Sequence, residues 1–482
     1  MNLAAILLGH ATARPNAPAI VGARDAIDYR ACCEIVGSFA ARLAGLGIGP
    51  GDRVGLALDD TADHLLFHYA VAWLGAAIVP IDHRWTVAEK AALARAFACK
   101  TVLFEPGDPA CDQTGGIVVN PAWRSGDAVS PAMADDEDLP IMLSLSSGTT
   151  GRPTGALVSH RELYERWIAQ WVGIGFNGMD RFLLATPLYF GAGRSFAMSF
   201  LAGGGTVIFA PPPVSAQDVI AAGNAHKVTA MFLVPTQLRG LLDSWQGAGC
   251  ALPTVRRLVT SGAAIAAHER QRIIDRLTPG LVDYYASSEG GGISVLLPDE
   301  QLLYPETVGR PFFRVEVEIV DEQARPTPPG TMGRLRYRGP GVSRRLVNAD
   351  GATETSRDAW YYPGDLALML PSGHVRLAGR AKDLINRGGV NIYPAEIEAV
   401  LSTHPAIAEL SVFGVADARL GEIVAAALVL RPGTLLAAGE VQAFGSERLA
   451  PYKVPAKIVF VAALPRNSSG KVIRSELAKL KG

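Results

Sequence analysis

Short apolar runs alternate with amphipathic stretches over residues 1–100. Tyr29 to Leu46 sets Ile35, Phe39 and Leu43 at helical spacing, which predicts an amphipathic helix. The glycine cluster Gly45 to Asp52 ends it as a turn. Arg53 to Leu58 then reads as a strand, His64 to Leu74 as a helix and Ala76 to Pro80 as a short buried strand. Val87 to Phe97 reads as a third helix, followed by strand Thr101 to Phe104. This is the rhythm of an α/β domain. Residues 105–138 are polar and turn-rich and close on the acidic run Asp135 to Asp138, expected to be a solvated linker. Leu139 to Leu145 has strand character. Ser159 and Glu162 then have the spacing of a capping box, which predicts a helix from His160 to Trp171.

Further strands are predicted within Arg181 to Phe209 around a helix, and at Val228 to Val234 and Arg257 to Thr260. The pattern changes over residues 308–348. Val315, Val317 and Ile319 alternate with Glu316 and Glu318, and Leu335 and Tyr337 repeat the period after a Pro/Gly turn. That predicts a small antiparallel, β-barrel-like subdomain. After Arg380 the rhythm becomes α+β, with helices at Ile397 to Leu401 and Glu440 to Leu449 and strands at Ala408 to Val415 and Glu422 to Leu430. The expected organisation is a large α/β domain over residues 1–379 and a small α+β domain over residues 380–482.

A chain of 482 residues with 49% hydrophobic and 19% charged side chains has material for large cores. Its net charge of −1 and the lack of a long basic run argue against nucleic acid or an anionic membrane as partner. The five cysteines are scattered, without a CxxC pair, and read as reduced thiols of a cytoplasmic protein. The N-terminal apolar patch lacks the flanks of a signal peptide, and no apolar run is long enough to span a bilayer.

The chemistry concentrates in Ser146-Ser147-Gly148-Thr149-Thr150-Gly151-Arg152-Pro153-Thr154-Gly155. Three glycines, five hydroxyls and a cation in ten residues suit a polyphosphate cradle, or equally a flexible surface loop. No Gly-Lys-Ser/Thr follows at the spacing of a Walker A motif. Four more stretches stand out: Asp283-Tyr284-Tyr285-Ala286-Ser287-Ser288-Glu289-Gly290, Tyr361-Tyr362-Pro363-Gly364-Asp365, Gly379 to Glu398, and Leu464 to Val472. Singly, Glu289 reads as a turn residue, Asp365 as a turn cap, the glycines as a tight connection and Lys471 as a solvated side chain.

Together and in this order, the five stretches resemble the adenylate-forming superfamily of acyl-CoA synthetases, aryl-CoA ligases, adenylation domains and luciferases. The resemblance spans essentially the whole chain. It implies two half-reactions, acid plus ATP giving an acyl-adenylate, then thioester formation with CoA, together with a mobile C-terminal domain. Site roles follow from the resemblance residue by residue. Ser146, Ser147, Gly148, Thr149, Thr150, Gly151 and Arg152 would hold the triphosphate. Gly262 and Ala263 would line the acyl and adenine pockets. Asp283 and Tyr284 would border the nucleotide, and Tyr285 would stack on adenine. Ser288 would bond a phosphate, Glu289 would hold Mg²⁺, Asp365 would accept both ribose hydroxyls and Arg380 would contact ribose or phosphate. Asp383 would be the hinge, Gly388 and Gly389 would face the pantetheine arm, and Lys471 would neutralise charge during adenylation.

Five departures mark this chain, two of them Ala286 for the family's glycine and Ser288 for its threonine. Thr154 replaces the usual loop lysine, Pro363 replaces a threonine, and Phe190 stands where many relatives carry histidine. Tyr189 and Phe190 would wall an apolar acyl pocket suited to an alkyl or aryl acid. Arg194 would either pair a second substrate carboxylate or be structural. Gly191 after Phe190 argues against an amino-acid substrate. The leading expectation is therefore an acyl- or aryl-CoA ligase. Its alternatives are an adenylating enzyme that serves a carrier protein or small nucleophile, and a non-catalytic nucleotide-binding protein.

Overall fold

The structure, a computed structural model, describes residues 1–22, 26–126, 130–146, 154–210, 214–347, 352–356, 358–466 and 472–479. Two large sheets dominate it. An eight-stranded sheet runs in the order Thr353–Thr355, Arg345–Val347, Thr154–Ser159, Pro140–Ser146, Ala77–Pro80, Arg53–Ala57, Thr101–Phe104, Ile117–Val118. A nine-stranded sheet has a parallel centre of Leu281–Ser287, Arg257–Thr260, Ala230–Leu233, Arg181–Leu184 and Thr206–Phe209. Four of the parallel strands, Ala77–Pro80, Thr101–Phe104, Thr206–Phe209 and Ala230–Leu233, are buried at every position. Strands covered on both faces need such unbroken apolar runs, which is why they stood out in the sequence.

Helices Tyr29–Gly45, Ala62–Trp73, His160–Gly173 and Gly191–Ala202 share one core with residues of both sheets, including Val54, Ile78, Phe182 and Phe232. Ala62–Trp73 is buried at every position but Asp63. Its start lies two residues earlier than the apolar pattern indicated, because the Thr61 side chain accepts from the His64 N–H and caps it. The N-terminal apolar patch forms helix Ala5–Ala13, which buries Leu7. The linker expected at 105–138 is partly structured. It forms a short helix Ala110–Thr114 and a 3-10 turn Pro121–Arg124 that buries Trp123 against Phe67. At its end, Glu137 and Asp138 pair with Arg161, and Glu137 also takes the N-terminal ammonium.

The alternating segment forms a four-stranded antiparallel sheet, Glu316–Val320, Gly333–Arg338, Asp365–Met369, Val375–Arg380. The C-terminal segment forms another, Val390–Ile392, Ile385–Arg387, Gly421–Leu430, Ile407–Asp417, with Lys457–Phe460 added to Gly421–Leu430. Its two hydrophobic clusters contain only residues from Ile385 onward. Among the described residues, no helix is long and apolar enough to cross a membrane.

The expected capping box is present: Ser159 accepts from Glu162 N, and Glu162 accepts from Ser159 N. His160, the first helical residue, is fully buried, and its Nδ1 accepts from Leu3 N at 3.1 Å. A proton on Nδ1 would break that bond. Burial lowers the His160 pKa from 6.5 to about 4, helped by the N-terminal charge. The unfolded chain therefore binds the proton first, and stability falls as pH drops from 6.5 toward 4. His160→Gln should make the decline of Tm over that window shallower than in the wild type. Equal slopes would show that His160 titrates normally.

Candidate nucleotide and acyl site

Ser146, Gly262, Ala263, Ser288 and Glu289 stand at or just past the carboxyl ends of strands of the two large sheets, where open α/β sheets bind ligands. Ser147 to Arg152 lie outside the described residues, as does Lys471. The stem of the glycine-rich loop is described. Pro140–Ser146 and Thr154–Ser159 pair antiparallel with Ser146 opposite Thr154, so the loop closes a hairpin. Ser146, Thr154 and Gly155 are thus strand residues and not part of an open loop. A Cβ on Gly155 would lie 2.8 Å from the Ser144 carbonyl, so this glycine serves strand packing.

The strand Leu281–Ser287 lies in the other large sheet and delivers the next motif to the same place. Ser288 Oγ donates to the Leu145 carbonyl at 3.1 Å, joining the two sheets just below the loop. The carbonyl of Glu289 accepts from Arg166 Nη2 at 2.5 Å and from Ser343 N at 2.8 Å. Burial, and then the charge of the partly exposed Glu289 carboxylate, raise the Tyr361 pKa. Ser287 and Tyr337 share a hydroxyl–hydroxyl bond, and Tyr337 stacks edge-on with Tyr361. A Cβ on Gly290 would fall 2.3 Å from the Tyr337 oxygen, so Gly290 makes room for this tyrosine.

Asp365 begins its strand directly opposite Arg380 on the next one. Its carboxylate is only 8% exposed, forms an ion pair with Arg380 Nε at 3.0 Å and accepts from the Tyr285 hydroxyl. Burial, reinforced by the Asp365 charge, raises the Tyr285 pKa well above its usual value and keeps the phenol a donor. Tyr285, Asp365 and Arg380 therefore form one connected group. Gly364, at φ +85°, sets the turn that presents Asp365. Gly262, at φ +97°, and Ala263 follow strand Arg257–Thr260 and are exposed, with open space beside Gly262.

Other side chains have internal partners. The Asp283 side chain is buried and bonded to Arg270 Nη2 at 2.7 Å, so it belongs to an internal ion pair. Tyr284 points into the core between Phe196 and Phe312. Arg194 is 1% exposed; its Nη1 donates to the carbonyls of Leu188 and Tyr189, each at 3.1 Å. Burial lowers its pKa to about 10, and it ties down the Pro187–Phe190 turn. That is the structural reading, not the pairing of a second substrate carboxylate.

The same turn is held from the other side by Asp60, which accepts from Leu188 N at 2.6 Å. Arg84 covers and hydrogen-bonds Tyr189. Tyr189 and Phe190 remain half-buried, their rings 5.0 Å apart.

Gly388 and Gly389, at φ +59° and +84°, are the two central residues of the hairpin Ile385–Arg387 and Val390–Ile392. A two-residue hairpin with both φ positive favours glycine, so the tight turn by itself accounts for the pair. A Cβ on exposed Gly389 would meet nothing within 4 Å. Asp383 ends a single 3-10 turn and pairs with Arg474 Nη1 at 2.7 Å. Arg166, Tyr337, Asp60 and Arg84 were not among the expected site residues. Each lies far in sequence from the group it supports, and only the glycines at 290 to 292 hinted at close packing there.

With this geometry in view, the comparisons with known proteins are direct. The AMP-binding enzyme family profile matches residues 8–347, and the AMP-binding enzyme C-terminal domain profile matches residues 396–471. A feruloyl-CoA synthase of an Amycolatopsis species is 31% identical over 478 residues, covering 96% of each chain. Fatty acid–[acyl-carrier-protein] ligase ScoC of Streptomyces coeruleorubidus is 28% identical over 505 residues, covering 97% of this chain and 94% of its own. The o-succinylbenzoate coenzyme A synthetase of Bacillus subtilis, solved with ATP and magnesium ion, superposes with a TM-score of 0.89 at 26% identity, covering 98% of both chains. The chain belongs to the AMP-binding enzyme family.

Proposed function

We propose that this enzyme is an acid–thiol ligase that activates an alkyl or aryl carboxylic acid with ATP and transfers the acyl group to CoA. The observation that carries the reading is the linked Tyr285–Asp365–Arg380 group. Tyr285 lies on the strand after whose end Ser288 meets the stem of the glycine-rich loop, and Asp365 and Arg380 reach it from the four-stranded sheet. CoA-ligase relatives, and a relative solved with ATP and magnesium, support it.

The residues present suit each group. Asp365 offers a carboxylate at a strand start to ribose hydroxyls, with Tyr285 and Arg380 as its present partners. Glu289 offers one half-exposed carboxylate, the donor set that a phosphate-borne Mg²⁺ asks of a protein. When bound, Mg²⁺ would neutralise charge on the phosphates of ATP. The substrate carboxylate oxygen attacks the α-phosphorus, and the bond to pyrophosphate breaks. Ser288, the Ser147–Arg152 loop and Lys471 act by position and charge. A thiol then attacks the acyl carbon, loses its proton, and AMP departs with the bridging oxygen. Half-buried Tyr189 and Phe190 favour an apolar acyl group. We place the domain boundary at 379/380, which fits hydrophobic clusters that draw only on residues from Ile385 onward.

Pyrophosphate release from ATP over a panel of alkyl, aryl and amino acids, followed by mass analysis of thioesters, tests the assignment. Acid-dependent release with acyl-CoA as product is the expected result. AMP release that needs a carrier protein instead of free CoA would favour the carrier reading, which the ScoC relative supports. ATP binding with no acid-dependent release would leave only a nucleotide-binding role.

Gly389 should matter in the second step alone. Gly389→Trp is expected to raise the KM for CoA about tenfold or more while adenylation stays within about twofold. Gly389→Ala shares the strained φ but not the bulk and separates the two causes. Unchanged CoA use in Gly389→Trp would remove Gly389 from the thiol path.

A further inference from the structure

We propose that Arg166 is a positioning residue that fixes the metal-binding Glu289 and the phosphate-binding Ser288 through their backbone carbonyls. It lies within helix His160–Gly173, distant in sequence from both, and is buried. Each guanidinium nitrogen donates to a carbonyl: Nε to Gly341 at 2.8 Å, Nη1 to Ser288 at 3.3 Å, and Nη2 to Glu289 at 2.5 Å. Two of the three acceptors are consecutive peptides of the turn that carries the site's hydroxyl and carboxylate. The planar fork of an arginine can hold three acceptors in one rigid arrangement; a lysine cannot.

The seat for this side chain is built from two other segments. A Cβ at Gly341 would lie 2.9 Å from Arg166 Cγ, and one at Gly291 would lie 3.0 Å from both Cγ and Cδ. Two glycines, 50 positions apart, thus leave the space that the arginine stem fills. Ser343 N gives the Glu289 carbonyl a second donor at 2.8 Å, so the turn is held from the Gly341 side as well. The Glu289 backbone is thus fixed by Arg166 and Ser343, while its carboxylate stays partly exposed.

The sign of the effect separates this role from simple electrostatics. Arg166 is a cation beside a cation site. By charge alone, removing it should tighten metal binding. If it positions Glu289, removing it should weaken metal binding. The inference rests on the ligase reading for the role of Glu289.

The test titrates Mn²⁺, followed by its EPR signal, into enzyme saturated with α,β-methylene-ATP, which cannot release pyrophosphate. Arg166→Met is expected to weaken Mn²⁺ binding about tenfold, with Arg166→Lys in between, for loss of charge-assisted hydrogen bonds at a desolvated turn. Thioester formation from supplied acyl-adenylate should change less than about twofold, since Glu289 has no part in that step. Gly341→Ala, which crowds the stem without altering charge, should reproduce the weakening and serves if Arg166→Met does not fold. Mn²⁺ binding that is unchanged or tighter in Arg166→Met and Gly341→Ala overturns the proposal, as does an equal fall in metal binding and thioester formation. A wild type that binds Mn²⁺ equally with and without the nucleotide overturns the ligase reading too.

Discussion

Lys471→Ala is expected to lower the rate of acyl-adenylate formation by a factor of about 10²–10³, the usual loss when one preorganised charge-stabilising group is removed from a transition state. Thioester formation from supplied acyl-adenylate should stay within about twofold, because no new phosphate charge develops in that step. Pre-steady-state quench of each half-reaction separates the two. Equal loss in both steps would take Lys471 out of this role. Among the described residues after it, Arg474 Nη1 bonds the Asp383 carboxylate at 2.7 Å, and Nη2 bonds Glu398 at 2.9 Å. Arg474 thus ties helix Arg474–Leu477 to the expected hinge residue. Such a hinge needs only one or two residues to absorb the change in φ and ψ.

Arg270→Ala should be the most destabilising single change near the site, by about 3–5 kcal/mol, because it leaves a buried carboxylate without its partner. Arg270 donates to Asp283 Oδ2 at 2.7 Å, to Gln301 Oε1 at 2.6 Å and to the Pro305 carbonyl at 3.0 Å, and both charged side chains are nearly excluded from water. Burial raises the Asp283 pKa even against the arginine, so on losing Arg270 the acid should take up a proton and not remain charged. Part of the lost stability should then return as pH is lowered, which urea unfolding at two pH values would show. The double variant Arg270→Met with Asp283→Leu should recover most of the loss, since replacing both members of a buried pair by apolar groups is often neutral. A single variant within about 0.5 kcal/mol of the wild type, the scatter of surface changes, would mean that water reaches the pair.

Patterning revealed the elements where burial has a simple period. Strands such as Thr101–Phe104 and helices such as Tyr29–Gly45 carry their environment in consecutive residues, and the capping box at Ser159 is local by construction. Motif order was enough to expect Asp365, Arg380 and Tyr285 in one place, and the structure brings them into one bonded group.

The direction of a side chain was not legible in the same way. Asp283 and Tyr284 precede Tyr285 on one strand, yet one meets Arg270 and the other an aromatic cluster. The partners that decide this lie on distant elements. Arg194 looked like a ligand for an anion because its charge is visible in a string of letters. That its Nη1 would donate to two carbonyls of its own turn is not. Gly388 and Gly389 were noticed for the right reason, an unusual backbone, but the hairpin itself supplies that need. Arg166 carried no local signal, because its three acceptors come from two connections far along the chain.

The central claim is that a carboxylate oxygen becomes bonded to the α-phosphorus of ATP. An acid labelled with ¹⁸O in both carboxylate positions tests it most directly. One turnover with ATP and CoA should place a single ¹⁸O in AMP and none in pyrophosphate. Label in inorganic phosphate or pyrophosphate, or unlabelled AMP beside a formed thioester, would contradict the account.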